Sequence, residues 1–173
     1  MHEDTTPAQH LLGVSAGAFE VDDQATLATL CLDFARQAQR SLDIVSRHLD
    51  APLYDNEAFA TAVKHIALNH RNARIRLFIL EPRPLVSRHH RLLDLAERLP
   101  GFIDIRTPSP QYKHFNEALL IADNLGYVSR QFSDRYAAEV DFCNRRRATA
   151  LTERLDEMWE RGLPDANFRR LHL

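Results

Sequence analysis

Apolar and polar positions along this chain follow two periods, and the switches between them mark its elements. From Gln24, the positions Leu27, Leu30, Cys31, Phe34 and Ala38 recur at helical spacing and predict a helix over 24–40 with one apolar face. Val21-Asp22-Asp23 supplies its cap. Ser41 to Arg47, S-L-D-I-V-S-R, then reads as a strand through Leu42, Ile44 and the β-branched Val45. It ends at Arg47-His48 and the break Asp50-Ala51-Pro52. Asp55-Asn56 caps a second helix over 57–70, with Phe59, Val63 and Ile66 on one side. Arg74 to Leu80, R-I-R-L-F-I-L, is the clearest strand and is stopped by Glu81-Pro82-Arg83-Pro84.

A third helix is predicted over 86–99, with Leu92, Leu93, Leu95 and Ala96 facing a core, closed by Pro100-Gly101. Phe102 to Arg106 alternates as a short strand, and Thr107-Pro108-Ser109-Pro110 is a loop. In the stretch 113–130, Glu117 to Ala122 is an apolar run of strand length. Asp123-Asn124-Leu125-Gly126 carries turn chemistry, and Tyr127 to Arg130 resumes an extended pattern. After a polar loop over 131–136, Ala137 to Phe142 reads as a strand. A last helix over 145–162 carries Leu151, Leu155, Met158 and Trp159 at helical spacing. Strands alternating with helices imply an α/β fold: a mixed, largely parallel sheet with helices on both faces. Residues 1–20 are expected as a loosely ordered lead-in with a short strand near Val14 or Phe19. Residues 21–165 form a single domain, and 166–173 are a tail.

Composition narrows the function classes. The chain has 173 residues, 45% of them apolar and 27% charged, which fits one domain with a core. A net charge of −2 argues against a dedicated nucleic-acid coat and leaves room for a local basic patch. Two cysteines, Cys31 and Cys143, without a C-x-x-C pair read as thiols in a reduced compartment. No apolar run reaches the roughly 18 residues of a membrane span, and the acidic start Met1-His2-Glu3-Asp4 is no secretory signal, so a cytoplasmic location is expected. Adjacent His89 and His90 point apart on a helix, and His65 and His70 share no face, so no metal or cofactor is expected.

Sites in such sheets gather at the carboxyl ends of strands. Arg47 and His48, Glu81, Arg106 and Asp123 stand at predicted strand ends. Lys113 and His114 stand at the entrance of the run 117–122, and Ser129 and Arg130 at the exit of the strand after it. Asp123 also suits the turn for its own sake. Arg145-Arg146-Arg147 opens the last helix, as a phosphate or nucleic-acid contact or as partners of Glu139, Asp141 or Glu153.

This order of elements, with R-S-L-D-I-V-S-R at 40–47, R-I-R-L-F-I-L at 74–80, I-D-I-R at 103–106, E-A-L-L-I-A-D at 117–123, A-A-E-V-D-F at 137–142 and E-M-W-E at 157–160, resembles one half of the phospholipase D superfamily. The resemblance covers about 27–162. It implies a loop leading into a catalytic H-x-K-x-x-x-x-D, then Gly-Ser-x-Asn, then an acidic residue, and two copies of the half paired in a homodimer. With Asp123 as the motif's aspartate, its histidine position holds Asn116 and its lysine position Ala118. With His114 as the histidine, the lysine position holds Asn116 and the aspartate position Ile121. Gly-Ser-x-Asn is replaced by Gly126-Tyr127-Val128-Ser129-Arg130 at another spacing, and Glu139 is the counterpart of the later acid.

The family's chemistry needs one histidine to attack phosphorus, a second to protonate the leaving oxygen, and lysines to hold the phosphoryl oxygens. Asn116 cannot be that nucleophile and Ala118 offers no cation. The leading expectation is a diverged, non-catalytic domain binding a phosphate-bearing ligand, a nucleic acid or a partner protein. Its cleft is lined by His114, Lys113, Asn116, Asp123, Ser129, Arg130, Arg47, His48 and Glu139. The alternatives are a phosphodiesterase or nuclease with His114 in a shifted register, and a regulatory or structural dimerisation module.

Overall fold

The computed structural model describes residues 10–164. Within them lie strands β1 (Phe19–Val21), β2 (Ser41–Ser46), β3 (Arg74–Ile79), β4 (Ile103–Arg106), β5 (Ala118–Ala122), β6 (Gly126–Arg130) and β7 (Ala138–Asp141). They pair into one sheet in the order β1-β7-β6-β5-β2-β3-β4. The helices are α1 (Gln24–Gln37), α2 (Ala51–Tyr54), α3 (Glu57–Asn69), α4 (Arg83–Val86), α5 (Arg91–Arg98) and α6 (Arg145–Glu160), with a 3-10 turn at Pro110–Tyr112.

Helices cover both faces of the sheet. The larger core joins α1, α3 and α5 to Leu42, Ile44, Ile75, Leu77, Leu120, Val128 and Val140. The smaller one packs α6, through Leu151, Leu155, Met158 and Trp159, on Val45, Phe78, Leu119, Ile121 and Tyr127. Local signals explain the helix starts. Asp23 accepts from the Thr26 amide, and Asn56 from that of Phe59 at 2.8 Å.

The expected α/β fold with a mixed sheet is present, but the balance within the sheet differs from a largely parallel one. Only β2, β3 and β4 run parallel, joined through α3 and α5, and the other pairings are antiparallel. The cause is the turn between β5 and β6. Asp123 and Asn124 both adopt φ of 55°, and the Leu125 amide bonds the Ala122 carbonyl at 2.9 Å, so the chain reverses within two residues. A tight hairpin enforces antiparallel pairing. Gly126 follows because a Cβ there would sit 2.8 Å from the Asp141 carbonyl and 2.9 Å from Phe34.

The helix expected over 86–99 is two. His90 is extended (φ −138°, ψ 128°) and breaks the run, and its ring accepts from the Leu92 amide as the cap of α5. Of the expected lead-in, residues 1–9 lie outside the described residues. From His10 onward the chain is bound to the domain. Gln37 holds both the Leu12 amide (2.7 Å) and the His10 carbonyl (2.8 Å), and β1 pairs with β7. The expected tail, 166–173, also lies outside the described residues.

Candidate functional site

The carboxyl ends of β2 and β3, the entrance to β5 and the exit of β6 fall at one edge of the sheet, because β5 runs antiparallel to β2 and β6 antiparallel to β5. Arg47, one residue beyond β2, sits at the centre of this edge. Its guanidinium donates to Ser133 Oγ (Nε, 2.9 Å), Asn116 Oδ1 (Nη2, 2.6 Å) and Glu81 Oε1 (Nη1, 2.7 Å). Ser133 Oγ donates in turn to Asn116 Oδ1 at 2.6 Å, so the Asn116 carbonyl accepts two short bonds. His48 lies beside Glu81, its Nδ1 3.0 Å from the Glu81 carbonyl and its Nε2 3.5 Å from the carboxylate.

Arg130 anchors the other side. Its side chain is 3% exposed and pairs with Asp50 at 2.5 Å. It also donates to the carbonyls of Arg135 (2.8 Å) and Ser133 (3.0 Å), which shapes the loop 131–135 and brings Ser133 to Arg47. The Asp50–Arg130 pair is nearly dry, so each charge depends on the other. Beneath it, burial pushes the Cys31 thiol up to about 12, which leaves it a core group rather than a nucleophile. Arg47 differs from Arg130 in facing outward, with its side chain 25% exposed. The edge therefore presents one accessible guanidinium held in a fixed orientation by neutral and acidic acceptors. Such a fork suits an anion with two adjacent oxygens.

Other expected site residues are placed as follows. Lys113 and His114 are exposed, on the turn between the 3-10 turn and β5. Ser129 and Glu139 are cross-strand partners on β6 and β7, on the face that carries α6, and Glu139 accepts from the Tyr127 hydroxyl at 2.6 Å. Asp123 does not belong to this cleft. It ends β5 at the opposite edge of the sheet, where its carboxylate accepts from the amides of Gln39 (2.8 Å), Arg40 (2.7 Å) and Ser41 (2.9 Å). The antiparallel course of β5 is the reason: its entrance and exit lie at opposite edges. Arg106 also lies elsewhere, donating to the Trp159 carbonyl at 2.7 Å at the end of α6. The three arginines at 145–147 are exposed, and among the described residues none forms an ion pair with Glu139, Asp141 or Glu153.

Sequence reasoning missed Asp50 and Ser133. Asp50 reads as part of a break before Pro52, and Ser133 as one polar residue in a polar loop. No local pattern marks either, because their partners are distant in sequence. No group of three or more His, Cys, Asp or Glu among the described residues is placed to hold a metal ion. No described helix is long and apolar enough to cross a membrane.

Solved structures share this fold. Nuc from Salmonella typhimurium, a phospholipase D family member, superimposes with a TM-score of 0.62 at 14% identity, over 86% of this chain and 97% of that one. NucT from Helicobacter pylori matches with a TM-score of 0.62 at 10% identity, over 86% and 99%. The archaeal chromatin protein TrmBL2, described as showing a novel mode of DNA binding, matches at 0.61 and 16% identity, over 87% of this chain and 54% of its own. This chain thus spans about half of that protein, and at these identities the likeness is one of fold: an α/β domain resembling one phospholipase D half. No curated protein sequence matches the chain. A family described as a domain of unknown function, DUF7931, matches residues 23–171.

Proposed function

The chain belongs to the DUF7931 family of domains of unknown function, so its role has to be read from the site, and we propose that it is a diverged, non-catalytic phospholipase D-like domain that binds a phosphate-bearing ligand at Arg47. The observation that carries this reading is the environment of Asn116. Aligned through Asp123, Asn116 takes the place of the family's nucleophilic histidine. Its carbonyl is engaged by Arg47 and Ser133, both at 2.6 Å. An amide in that position has no lone pair to attack phosphorus and no proton to give at neutral pH.

Ala118 takes the place of the family's lysine and is buried, 2% exposed, directly opposite Arg130 on the neighbouring strand. The cation of the site has thus moved to β6, where Asp50 neutralises it, and to Arg47 on β2. These groups retain anion affinity without a nucleophile. The likeness in fold to phospholipase D family members and to a DNA-binding chromatin protein supports nucleic acid as the ligand class. In this reading two copies pair, as single halves of the resembling family do.

The test is binding and turnover measured on one preparation. A fluorescent single-stranded oligonucleotide is expected to bind the wild type with an affinity that falls as salt rises. Arg47→Ala is expected to weaken it tenfold or more. Bis-p-nitrophenyl phosphate and single-stranded DNA are expected to remain uncleaved. Turnover that disappears in His114→Ala would replace this reading with a working site in a shifted register.

A further inference from the structure

One cross-strand row on the α6 face links Arg47's strand to an open groove. Val45 pairs with Leu119, Leu119 with Ser129, Ser129 with Glu139, and Glu139 with Glu20. At about 4.8 Å per strand, Ser129 and Glu139 lie roughly 10–15 Å from β2 along that row. Where α6 no longer covers the sheet, the row opens into a groove of about 620 Å³. Glu20, Ser129 and Glu139 form its floor. Phe132, Arg135 and Arg147 stand on its walls.

The loop 131–135 divides the groove from the Arg47 site and serves both. Ser133 faces Arg47, while Gln131, Phe132 and Arg135 line the groove. Phe132 is 39% exposed, and the Arg135 guanidinium stacks 4.8 Å from its ring centroid. A large aromatic left in water beside a guanidinium is a stacking platform for a planar group. Charge is segregated across the groove. Arginines stand at the rim, at Arg135, Arg147 and the exposed neighbours Arg145 and Arg146, and carboxylates lie below. Tyr127 Oη donates to Glu139 Oε1 at 2.6 Å, which holds that carboxylate on the sheet and leaves Oε2 outside this bond.

A carboxylate floor repels a phosphate, and an arginine rim repels a basic peptide. What suits both is a strand whose phosphates rest on the rim while an uncharged planar edge bearing N–H donors descends to the floor. We propose that the groove receives a nucleobase of a single-stranded nucleic acid and favours guanine, whose N1–H and exocyclic N2–H both donate to one carboxylate. The base stacks on Phe132, its edge meets Glu139 with Glu20 beside it, and a phosphate of the same strand lies on Arg47. The inference rests on the reading of Arg47 as the phosphate site and adds the substrate class and its selectivity.

Fluorescence anisotropy with short labelled thymidine oligonucleotides carrying one central guanine, cytosine or abasic residue tests it. The guanine probe is expected to bind about tenfold tighter than the cytosine probe. Glu139→Gln and Glu20→Gln each shrink that preference while every probe still binds. Phe132→Ala lowers the base-bearing probes toward the abasic one, by about tenfold. Equal affinity of the wild type for all three probes, or a preference that survives these substitutions, overturns the inference and leaves the phosphate site standing. Failure of every probe to bind the wild type overturns both. Tighter, Glu139-dependent binding of an oligolysine peptide would show the groove to be a cation site, and would also overturn it.

Discussion

Arg47 Nη2 stands 2.6 Å from Asn116 Oδ1, joining residues 69 positions apart at the edge of the sheet. The contact fixes two things together: the orientation of the accessible guanidinium, and the occupation of the asparagine carbonyl. Ser133 completes the triangle with bonds to both.

Arg47→Ala therefore has two expected effects. It strands Asn116 and Ser133 in a half-buried site, at a cost of about 1–3 kcal/mol in urea unfolding. It also removes the anion contact, so oligonucleotide affinity falls further than stability explains. Arg47→Lys separates these effects. A lysine retains charge but loses the fork, so only part of the affinity is expected to return. Full affinity in Arg47→Ala, measured on folded protein, would rule Arg47 out as the phosphate contact.

Asn116→His combined with Ala118→Lys restores two positions of the resembling family's motif, yet no hydrolysis of bis-p-nitrophenyl phosphate is expected. The new lysine would enter a fully packed position opposite Arg130, whose charge is already matched by Asp50. Burying an unpaired cation beside a like charge costs several kcal/mol. The double variant is expected to melt well below Asn116→His alone. Appearance of turnover in the double variant would mean that the site needs only its two side chains and that the packing argued here is not the obstacle.

What was legible in the sequence follows the range of the interactions. Asp23 and Asn56 announce α1 and α3 because a cap acts within three residues. The Asp123-Asn124 turn is equally local. The site is not: Ser133 reaches Arg47 across 86 positions and Arg130 reaches Asp50 across 80, so no periodicity records them. Asp123 was readable as a turn residue, but which edge of the sheet it occupies depends on the direction of β5. Arg74-Ile75-Arg76 reads as a strand with exposed arginines. Arg76 is buried because α6 lies over it, a fact of tertiary packing.

That burial yields a stability prediction. Arg76 donates to Asp43 at 2.8 Å and to Asp156 of α6 at 2.7 Å, while its guanidinium lies 5.4 Å from the Trp159 ring. Asp43 is 1% exposed. Removing it leaves a buried guanidinium with a half-exposed partner, so Asp43→Ala is expected to cost about 3–5 kcal/mol in chemical denaturation. Replacing both, as Asp43→Leu with Arg76→Met, is expected to recover much of that loss. A double variant as unstable as Asp43→Ala would assign the pair a role beyond satisfying its own charges.

Asp123 separates architecture from ligand binding. Its two oxygens collect three backbone amides where α1 hands over to β2. Asp123→Ala is expected to cost about 2–3 kcal/mol, from the lost charge-assisted bonds and from a left-handed φ that alanine disfavours. Asp123→Asn keeps the turn conformation and one acceptor oxygen, and should lose less. Neither should change oligonucleotide affinity once measured below its melting temperature. A binding defect in folded Asp123→Asn would return this residue to the site.

His90 makes stability depend on pH. Its Nε2 lies 2.9 Å from the Leu49 carbonyl and must donate to it, while Nδ1 accepts the Leu92 amide at 3.1 Å, so the folded ring is held in one neutral tautomer. Burial lowers its pKa against the opposing pull of the Leu49 carbonyl, Asp55 and Asp94, with Arg91 adding to the depression. A histidine whose pKa is lowered by folding binds its proton more readily when unfolded. Its contribution is therefore complete above the unfolded value of about 6.5 and is lost as pH falls from there through the folded pKa. Between those two values the expected slope approaches, but does not exceed, about 1.4 kcal/mol per pH unit. Urea unfolding at a series of pH values from neutral downward measures it. His90→Asn, which keeps a cap acceptor but does not titrate, should remove that part of the slope. Because the carbonyl that His90 holds belongs to Leu49, adjacent to the Asp50 that pairs with Arg130, acid should loosen this edge of the sheet first. Hydrogen exchange at 47–54 is expected to rise ahead of global unfolding in the wild type and not in His90→Asn.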